Sequence, residues 1–104
     1  HFRRVFHYPP FSRMVQLLAR DKSRERAAQT LRQVAETLRR DPLSRGVRVL
    51  GPAPAPFERL RGQWRFQLLL RSDSAARLRA LVRAALPARP ASEVVIDVDP
   101  YELL

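Results

Sequence analysis

Three arginines and two aromatic residues lie within nine positions of one another, in the stretch Arg59-Leu60-Arg61-Gly62-Gln63-Trp64-Arg65-Phe66-Gln67. Each guanidinium presents a planar fork of N–H donors that matches phosphate oxygens, and an aromatic ring is a platform on which an unpaired base can stack. Gly62 indicates a turn between two strands, which places the arginines around the tip of a hairpin. The pattern predicts Arg59, Arg61 and Arg65 as phosphate contacts. Trp64 is the candidate stacking residue.

The same stretch also has an ordinary structural interpretation, which the sequence leaves open. Apolar residues recur at every second position after Trp64, which is the period of a strand that buries one face. They are Phe66, Leu68 and Leu70. The alternate positions then form a polar face of Arg65, Gln67 and Arg71, joined by Arg48 of the preceding strand if the register permits. Because Trp64 lies at the start of the strand, it can belong to the core or to a binding surface.

A second basic pair lies nearer the C-terminus. Arg79 and Arg83 are four positions apart in a segment with helical periodicity, so they share one exposed helix face. Such a pair can receive the carboxylates of an acidic peptide. A protein-docking module is therefore the alternative function, in which these arginines bind an acidic tail or the proline-rich segment packs against sibling domains.

The residue types argue against catalysis. His1 and His7 are the two histidines, and the chain has no cysteine and no glycine-rich loop of the kind that cradles nucleotide phosphates. Asp97 and Asp99 share one strand face and resemble a carboxylate pair, but we interpret them as polar residues on the outer face of a strand. We therefore predict that this chain has no catalytic residue, no metal site and no cofactor.

The elements that position these residues follow a β-α-β-β-α-β order. They are a strand at 12–20, a helix from Asp21 or Ser23 to about Arg40, a short strand at 47–50, a strand at 64–71, a helix from Ser74 to about Leu86 and a strand at 93–99. Alternating and 3.6-residue periods distinguish the strands from the helices. The order predicts an α+β, ferredoxin-like fold: a four-stranded antiparallel sheet with two helices on one face.

A proline-rich segment interrupts the predicted hairpin. Gly51-Pro52-Ala53-Pro54-Ala55-Pro56 carries three prolines at alternate positions. Proline has no backbone N–H to donate, so such a run is not expected in a regular strand or helix. We predict a stiff extended arm here, within an elongated hairpin between Val47 and Arg71.

Composition favours one folded domain with a polyanionic partner. The 104 residues are 45% hydrophobic and include 19 arginines and one lysine, for a formal net charge of +10. Residues 1–92 hold all 20 basic residues and six of the ten acidic ones, which favours nucleic acid over a membrane surface. No apolar run is long enough for a membrane helix. We expect a piece of a longer protein, in which residues 1–11 end an inter-domain linker in extended form and residues 12–104 form the domain.

Several blocks of sequence together resemble one bacterial family. They are Tyr8-Pro9-Pro10-Phe11, Leu50-Gly51-Pro52-Ala53-Pro54-Ala55-Pro56, Arg59-Leu60-Arg61-Gly62, Trp64-Arg65-Phe66-Gln67-Leu68-Leu69-Leu70 and Ile96-Asp97-Val98-Asp99-Pro100. In this order they resemble the C-terminal domain of primosomal protein N′, found in the PriA-type replication restart helicases of bacteria. The family has tyrosine and then tryptophan where Trp64 and Phe66 stand here, so two aromatic residues are kept.

The resemblance implies a fold similar to that of ribosomal protein S10 and a role in binding branched and single-stranded DNA at stalled forks. It implies a bacterial, cytoplasmic protein whose ATP-, magnesium- and zinc-binding domains lie upstream of this chain, so no ATP hydrolysis is expected from the chain itself. It also implies two protein partners. These are the upstream helicase domains and the acidic C-terminal tail of single-stranded DNA-binding protein, for which Arg79 matches a pocket position.

Overall fold

The computed structural model describes residues 13–98, which form four strands and two helices in the predicted order. The elements are β1 (Arg13–Asp21), α1 (Arg24–Arg40), β2 (Arg48–Leu60), β3 (Gln63–Ser72), α2 (Ala75–Ala85) and β4 (Glu93–Val98), with a 3-10 turn at Pro42–Ser44. The predicted N-terminal segment 1–11 and Asp99 lie outside the described residues.

The four strands form a single antiparallel sheet in the order β2-β3-β1-β4, so β2 and β4 are its edges. β1 pairs with β3 along its whole length, from Arg13 opposite Ser72 to Asp21 opposite Trp64. Two long, fully paired central strands with a helix after the first and third strands confirm the ferredoxin-like prediction.

Both helices pack on the same face of the sheet. Every second residue of β1 and β3 is buried against them: Val15, Leu17, Ala19, Phe66, Leu68 and Leu70. The helices contribute Leu31, Leu38, Leu78 and Leu81 to this core. Burial of one leucine stabilises a fold by about 1.5–3 kcal/mol, so this layer holds the sheet and helices together. The other face, which carries Gln16, Leu18, Gln67 and Leu69, is not covered by either helix of residues 13–98 and is called the open face below.

Polar side chains fix where the helices begin. The Ser23 hydroxyl accepts a hydrogen bond from the N–H of Arg26 at 3.2 Å, and the N–H of Ser23 donates to the Asp21 carboxylate at 2.8 Å. Both residues predicted as caps therefore take part in starting α1. Ser74 caps α2 in the same way, through the N–H of Arg77 at 3.1 Å.

The prediction that Gly51–Pro56 stands outside the regular strands is wrong. These residues belong to β2, and two of them pair with β3, Ala53 opposite Gln67 and Pro54 opposite Phe66. An edge strand uses only one of its two rows of N–H groups for pairing, so prolines are tolerated where an N–H would face solvent. Two register shifts, one before Ala53 and one after Pro54, absorb the remaining irregularity.

Gly51 makes the first of these shifts possible. Its φ is +107°, and a Cβ at this position would lie 3.0 Å from the carbonyl oxygen of Gln67 and 3.2 Å from the nitrogen of Ala53. A side chain here would be strained and would also crowd the neighbouring strand. Glycine thus allows β2 to stay against β3 at the start of the proline run.

Candidate nucleic-acid interface

A two-residue turn joins β2 to β3 and forms the hairpin tip, defined here as residues 59–62. Arg61 and Gly62 occupy the turn with φ of 54° and 78°, and Leu60 pairs with Gln63 across it. Positive φ at both central residues is typical of type I′ hairpin turns, whose twist matches that of the paired strands. Arg59 and Arg61 are exposed, and within residues 13–98 neither forms an ion pair.

Arg61 is the one non-glycine residue with positive φ in the described part of the chain. Left-handed backbone costs an L-residue about 1–2 kcal/mol, which glycine avoids. A glycine at this position would form the turn at least as well, so folding does not explain the arginine. The hairpin tip therefore carries a guanidinium that the fold itself does not use.

Trp64 lies on the helix side of β3, at the hairpin end of the sheet. Its side chain is half-buried, and two guanidinium groups lie over its ring, that of Arg59 at 5.1 Å from the ring centroid and that of Arg24 at 6.0 Å. Such cation–π contacts contribute about 0.5–1 kcal/mol at exposed sites. Trp64 thus shares the face of the core but lies at its rim. The stacking role predicted for it requires that a base displace Arg59 from the ring.

Arg65 lies on the open face and forms a hydrogen bond within the hairpin. Its Nη1 donates to the carbonyl oxygen of Phe57 at 3.0 Å. Pro54 pairs with Phe66 and Arg59 pairs with Trp64, so four residues of β2 lie opposite the single residue Arg65 of β3. These four residues, 55–58, are called the bulge below.

Phe57, inside the bulge, is 70% exposed and is the residue that sequence reasoning missed. A single apolar residue after a run of prolines has no periodic pattern to mark it. Its exposure follows from the register shift after Pro54, which depends on how two strands meet.

The bulge also contacts α1, on the helix side of the sheet. Nε of Arg24, the first residue of α1, donates to Oε2 of Glu58 at 2.7 Å. Ala55, at the start of the bulge, is buried. The bulge is therefore held from both sides of the sheet while its central residue stays exposed.

The open face carries two cross-strand arginine pairs, one near each end. Arg48 lies opposite Arg71, and Arg20 lies opposite Arg65. The two pairs are separated by six residues of β3, or about 20 Å at the rise of a strand. Glu93 neutralises Arg20 through an ion pair of 2.7 Å. Like charges directly opposite each other are unfavourable in a sheet, and this ion pair offsets the effect at the Arg20–Arg65 pair.

Between the two pairs, the open face is apolar and amide-rich. Nε2 of Gln16 donates to Oε1 of Gln67 at 2.8 Å, so the Gln67 carbonyl oxygen already has a partner. The prediction that polar residues of the two strands share one face of the sheet is confirmed for Arg48, Arg65, Gln67 and Arg71. Arg59 does not join them, because it lies opposite Trp64 on the helix side. The arginines predicted to contact phosphate therefore lie on both faces of the sheet around the hairpin.

Arg79 and Arg83 form a separate basic surface. Both are exposed on α2, and neither forms an ion pair with another residue of the described chain. α2 begins after Ser72, at the end of β3 opposite the hairpin tip. The structure does not bring the two predicted sites together, so variants of one can be tested without changing the other.

Asp21 joins β1, α1 and the loop before β4. Its carboxylate accepts hydrogen bonds from the N–H of Ser23 and the hydroxyl of Ser92, each at 2.8 Å, and Nε of Arg26 lies 3.7 Å away. The hydroxyl of Thr30 donates to Ser92 at 3.0 Å. Burial by itself raises the pKa of Asp21, but these hydrogen bonds and the Arg26 charge outweigh it, so the pKa is lowered. The ionised carboxylate fixes the first turn of α1 beneath the hairpin.

The acidic and histidine residues are the remaining candidates for metal ligands. Among residues 13–98, no three His, Cys, Asp or Glu side chains are grouped to hold a metal ion. Asp97 lies on β4 opposite Gln16, whereas His1, His7 and Asp99 are outside the described residues. Neither described helix has the length and apolar character needed to cross a membrane.

Comparison with known proteins identifies the family that this chain resembles. A family model described as the primosomal protein N C-terminal domain matches residues 4–101. The chain is 33% identical to replication restart protein PriA of Haemophilus influenzae, over 91% of this chain and 13% of that protein. It is 33% identical to PriA of Helicobacter pylori, over 92% of this chain and 15% of that protein. It is 34% identical to the probable PriA of Deinococcus radiodurans, over 89% of this chain and 10% of that protein.

Among solved structures, the chain is similar to the de novo designed protein Foldit4. The TM-score is 0.59 at 18% sequence identity, over 84% of this chain and 94% of that one. At this identity the likeness concerns the fold alone and carries no information on function.

Proposed function

This chain belongs to the family of primosomal protein N C-terminal domains, and on that premise we propose that it binds branched and single-stranded DNA for a replication restart helicase. It covers between 10% and 15% of the three relatives described above. ATP hydrolysis and the binding of magnesium and zinc are assigned by this proposal to parts of the parent protein outside the chain. The chain itself contributes DNA contacts, at the fork in the bacterial cytoplasm, and is not an enzyme.

The hairpin tip is the observation that carries the proposal. Arg59 and Arg61 are exposed without a carboxylate partner in the described chain, and Arg61 occupies a backbone conformation that glycine would adopt more easily. Guanidinium groups in this position are free to donate to phosphate oxygens. The open face continues this basic surface through Arg65 and, about 20 Å further along β3, through Arg48 and Arg71.

Binding of this kind reads the phosphate backbone rather than the base sequence. Contacts to phosphate position a protein on DNA but carry no direct sequence information. We therefore expect affinity to depend on DNA structure and on salt, and to be similar for unrelated sequences. Forked and single-stranded DNA are the preferred substrates, because an exposed hairpin can follow a strand that is not paired in a duplex.

A salt series tests the proposal. Fluorescence anisotropy of a labelled single strand gives the association constant at each salt concentration. Three phosphate contacts predict a slope of log K against log salt of about −2. Combined Arg59→Ala and Arg61→Ala substitutions remove two contacts, which should change the slope to about −0.7. An affinity that does not change with salt would contradict the proposal.

The matched control changes the same net charge elsewhere. Arg32 and Arg40 are exposed on α1, away from the core face of the helix. Combined Arg32→Ala and Arg40→Ala substitutions should leave the slope close to that of the wild type. If the two double variants lose the same affinity, binding depends on net charge alone and the hairpin is not the site.

Protein docking at α2 is the second candidate function. The pair Arg79 and Arg83 is exposed, is not neutralised within the described chain and lies apart from the hairpin tip. We propose that it receives acidic residues of a partner, such as the C-terminal tail of single-stranded DNA-binding protein or a surface of the upstream helicase domains. Arg79→Glu should abolish binding of an acidic peptide while DNA affinity is kept. If Arg79→Glu weakens the binding of both the acidic peptide and DNA, the two ligands share one site.

A further inference from the structure

Phe57 is the most exposed large apolar side chain in residues 13–98. It is 70% exposed, and the next most exposed, Val98, reaches 53%. We propose that the Phe57 ring is the platform on which an unpaired DNA base stacks while the hairpin arginines hold the adjacent phosphates. This inference rests on the proposed function and names the residue that distinguishes single-stranded from duplex DNA.

The backbone holds Phe57 outside the strand ladder. The bulge places four residues opposite Arg65 alone, so residues 55–58 cannot all pair with β3. Bulges of this kind redirect a side chain away from the regular alternation of a strand. Pro56 stands directly before Phe57 and has a fixed φ, which narrows the conformations of the chain at this point.

Two contacts and one buried residue fix the bulge in place. Arg65 donates to the carbonyl oxygen of Phe57 at 3.0 Å, and Glu58 bonds to Arg24 at 2.7 Å. Ala55 is buried at the start of the bulge. An aromatic ring on a backbone held in this way loses little conformational freedom when it binds, which favours affinity.

The charges around Phe57 favour nucleic acid over an apolar protein surface. Arg59 and Arg61 follow it in the chain, and Arg65 contacts its carbonyl group. The one acidic neighbour, Glu58, is neutralised by Arg24. Aromatic rings bordered by cations match a ligand that alternates phosphates with flat bases.

Trp64 offers a less accessible ring than Phe57. Arg59 lies over Trp64 at 5.1 Å and Arg24 at 6.0 Å, whereas none of the cation–π contacts in the described chain involves Phe57. A base can stack on Phe57 without displacing a guanidinium. Stacking on Trp64 would instead remove Arg59 from a contact that holds it in place.

The test compares two ligands with the same phosphates. A labelled oligothymidylate carries bases, and an abasic strand of equal length carries none. Phe57→Ala should weaken binding to the oligothymidylate roughly 5- to 150-fold, the range for loss of one base-stacking contact. Its affinity for the abasic strand should stay within about twofold of the wild type, because phosphate contacts are unchanged. Phe57→Trp should restore binding, and Phe57→Leu should not.

Controls keep the result interpretable. Leu43→Ala truncates another exposed apolar side chain, in the 3-10 turn after α1, and should alter neither affinity. Because Phe57 is mostly exposed, its variants should unfold at nearly the wild-type temperature. Equal weakening on both strands, or no weakening on either, would overturn the assignment of Phe57. Failure of the wild type to bind either strand at low salt would instead overturn the proposed function, and the base platform with it.

Discussion

Replacement of Arg61 by glycine separates a folding role of the hairpin tip from a binding role. The wild-type φ of 54° is left-handed, so glycine should recover about 1–2 kcal/mol of backbone strain. The added freedom of glycine in the unfolded chain costs about 0.5–1 kcal/mol. The difference predicts that Arg61→Gly is between zero and about 1.5 kcal/mol more stable than the wild type. Urea unfolding monitored by the emission of Trp64, the single tryptophan, measures this change.

The same variant should bind DNA less well. It loses one exposed guanidinium, and a hydrogen bond to a charged group contributes about 1.5–3 kcal/mol net, which is a roughly 10- to 150-fold decrease in affinity. The slope of log K against log salt should become shallower by about 0.7. Higher stability together with weaker binding is the expected result for a residue that serves the ligand and not the fold.

Gly62→Ala is the matched control within the turn. Gly62 also has positive φ, at 78°, and no atom beyond the adjoining residues lies within 4 Å of the position that a Cβ would occupy. Alanine should therefore cost about 1–2 kcal/mol through backbone strain alone, with no loss of charge. The reasoning is refuted if Arg61→Gly destabilises the fold by more than about 1 kcal/mol, because the guanidinium would then stabilise the hairpin. Unchanged affinity for DNA would equally refute it.

Three further variants test the supports of the site. Asp21→Asn should lower the free energy of unfolding at neutral pH by about 1–3 kcal/mol, because the ionised carboxylate holds Ser92 and the start of α1. Since the pKa of Asp21 is lowered below its ordinary value of 3.8, this stability is present above pH 3.8 and is lost as pH falls through the folded-state pKa, so the two pH–stability curves should converge in acid. Glu58→Gln breaks an exposed ion pair with Arg24 and should change the free energy of unfolding, measured in urea, by less than about 1 kcal/mol. Gly51→Ala should destabilise the fold by at least about 1 kcal/mol in thermal unfolding, since φ is +107° and the new Cβ would crowd a β3 carbonyl.

Local signals in the sequence predict most of the fold. Ser23 and Ser74 are helix caps because their hydroxyl groups accept from a nearby N–H, a contact that depends on only a few neighbouring residues. Alternation through Phe66, Leu68 and Leu70 identifies the buried face of β3 for the same reason. These features need no knowledge of which strands are neighbours.

What the sequence could not predict depends on the position of a strand in the sheet. Pro54 is tolerated in β2 because β2 is an edge, and edge position is a property of the whole sheet. The cover of Arg59 over Trp64 and the exposure of Phe57 both depend on where β2 slips against β3. The residue types around Gly62 therefore identify the hairpin, but they do not show whether the ring of Phe57 or that of Trp64 is accessible.

The emission of Trp64 tests most directly whether DNA binds at the hairpin. Arg59 lies 5.1 Å from the ring centroid, so a phosphate that engages Arg59 must alter the surroundings of the indole. Titration with single-stranded and forked DNA should change the emission along the same curve as anisotropy, and the change should disappear at high salt. Binding that leaves the emission of Trp64 unchanged would contradict the account and locate the DNA site elsewhere on the chain.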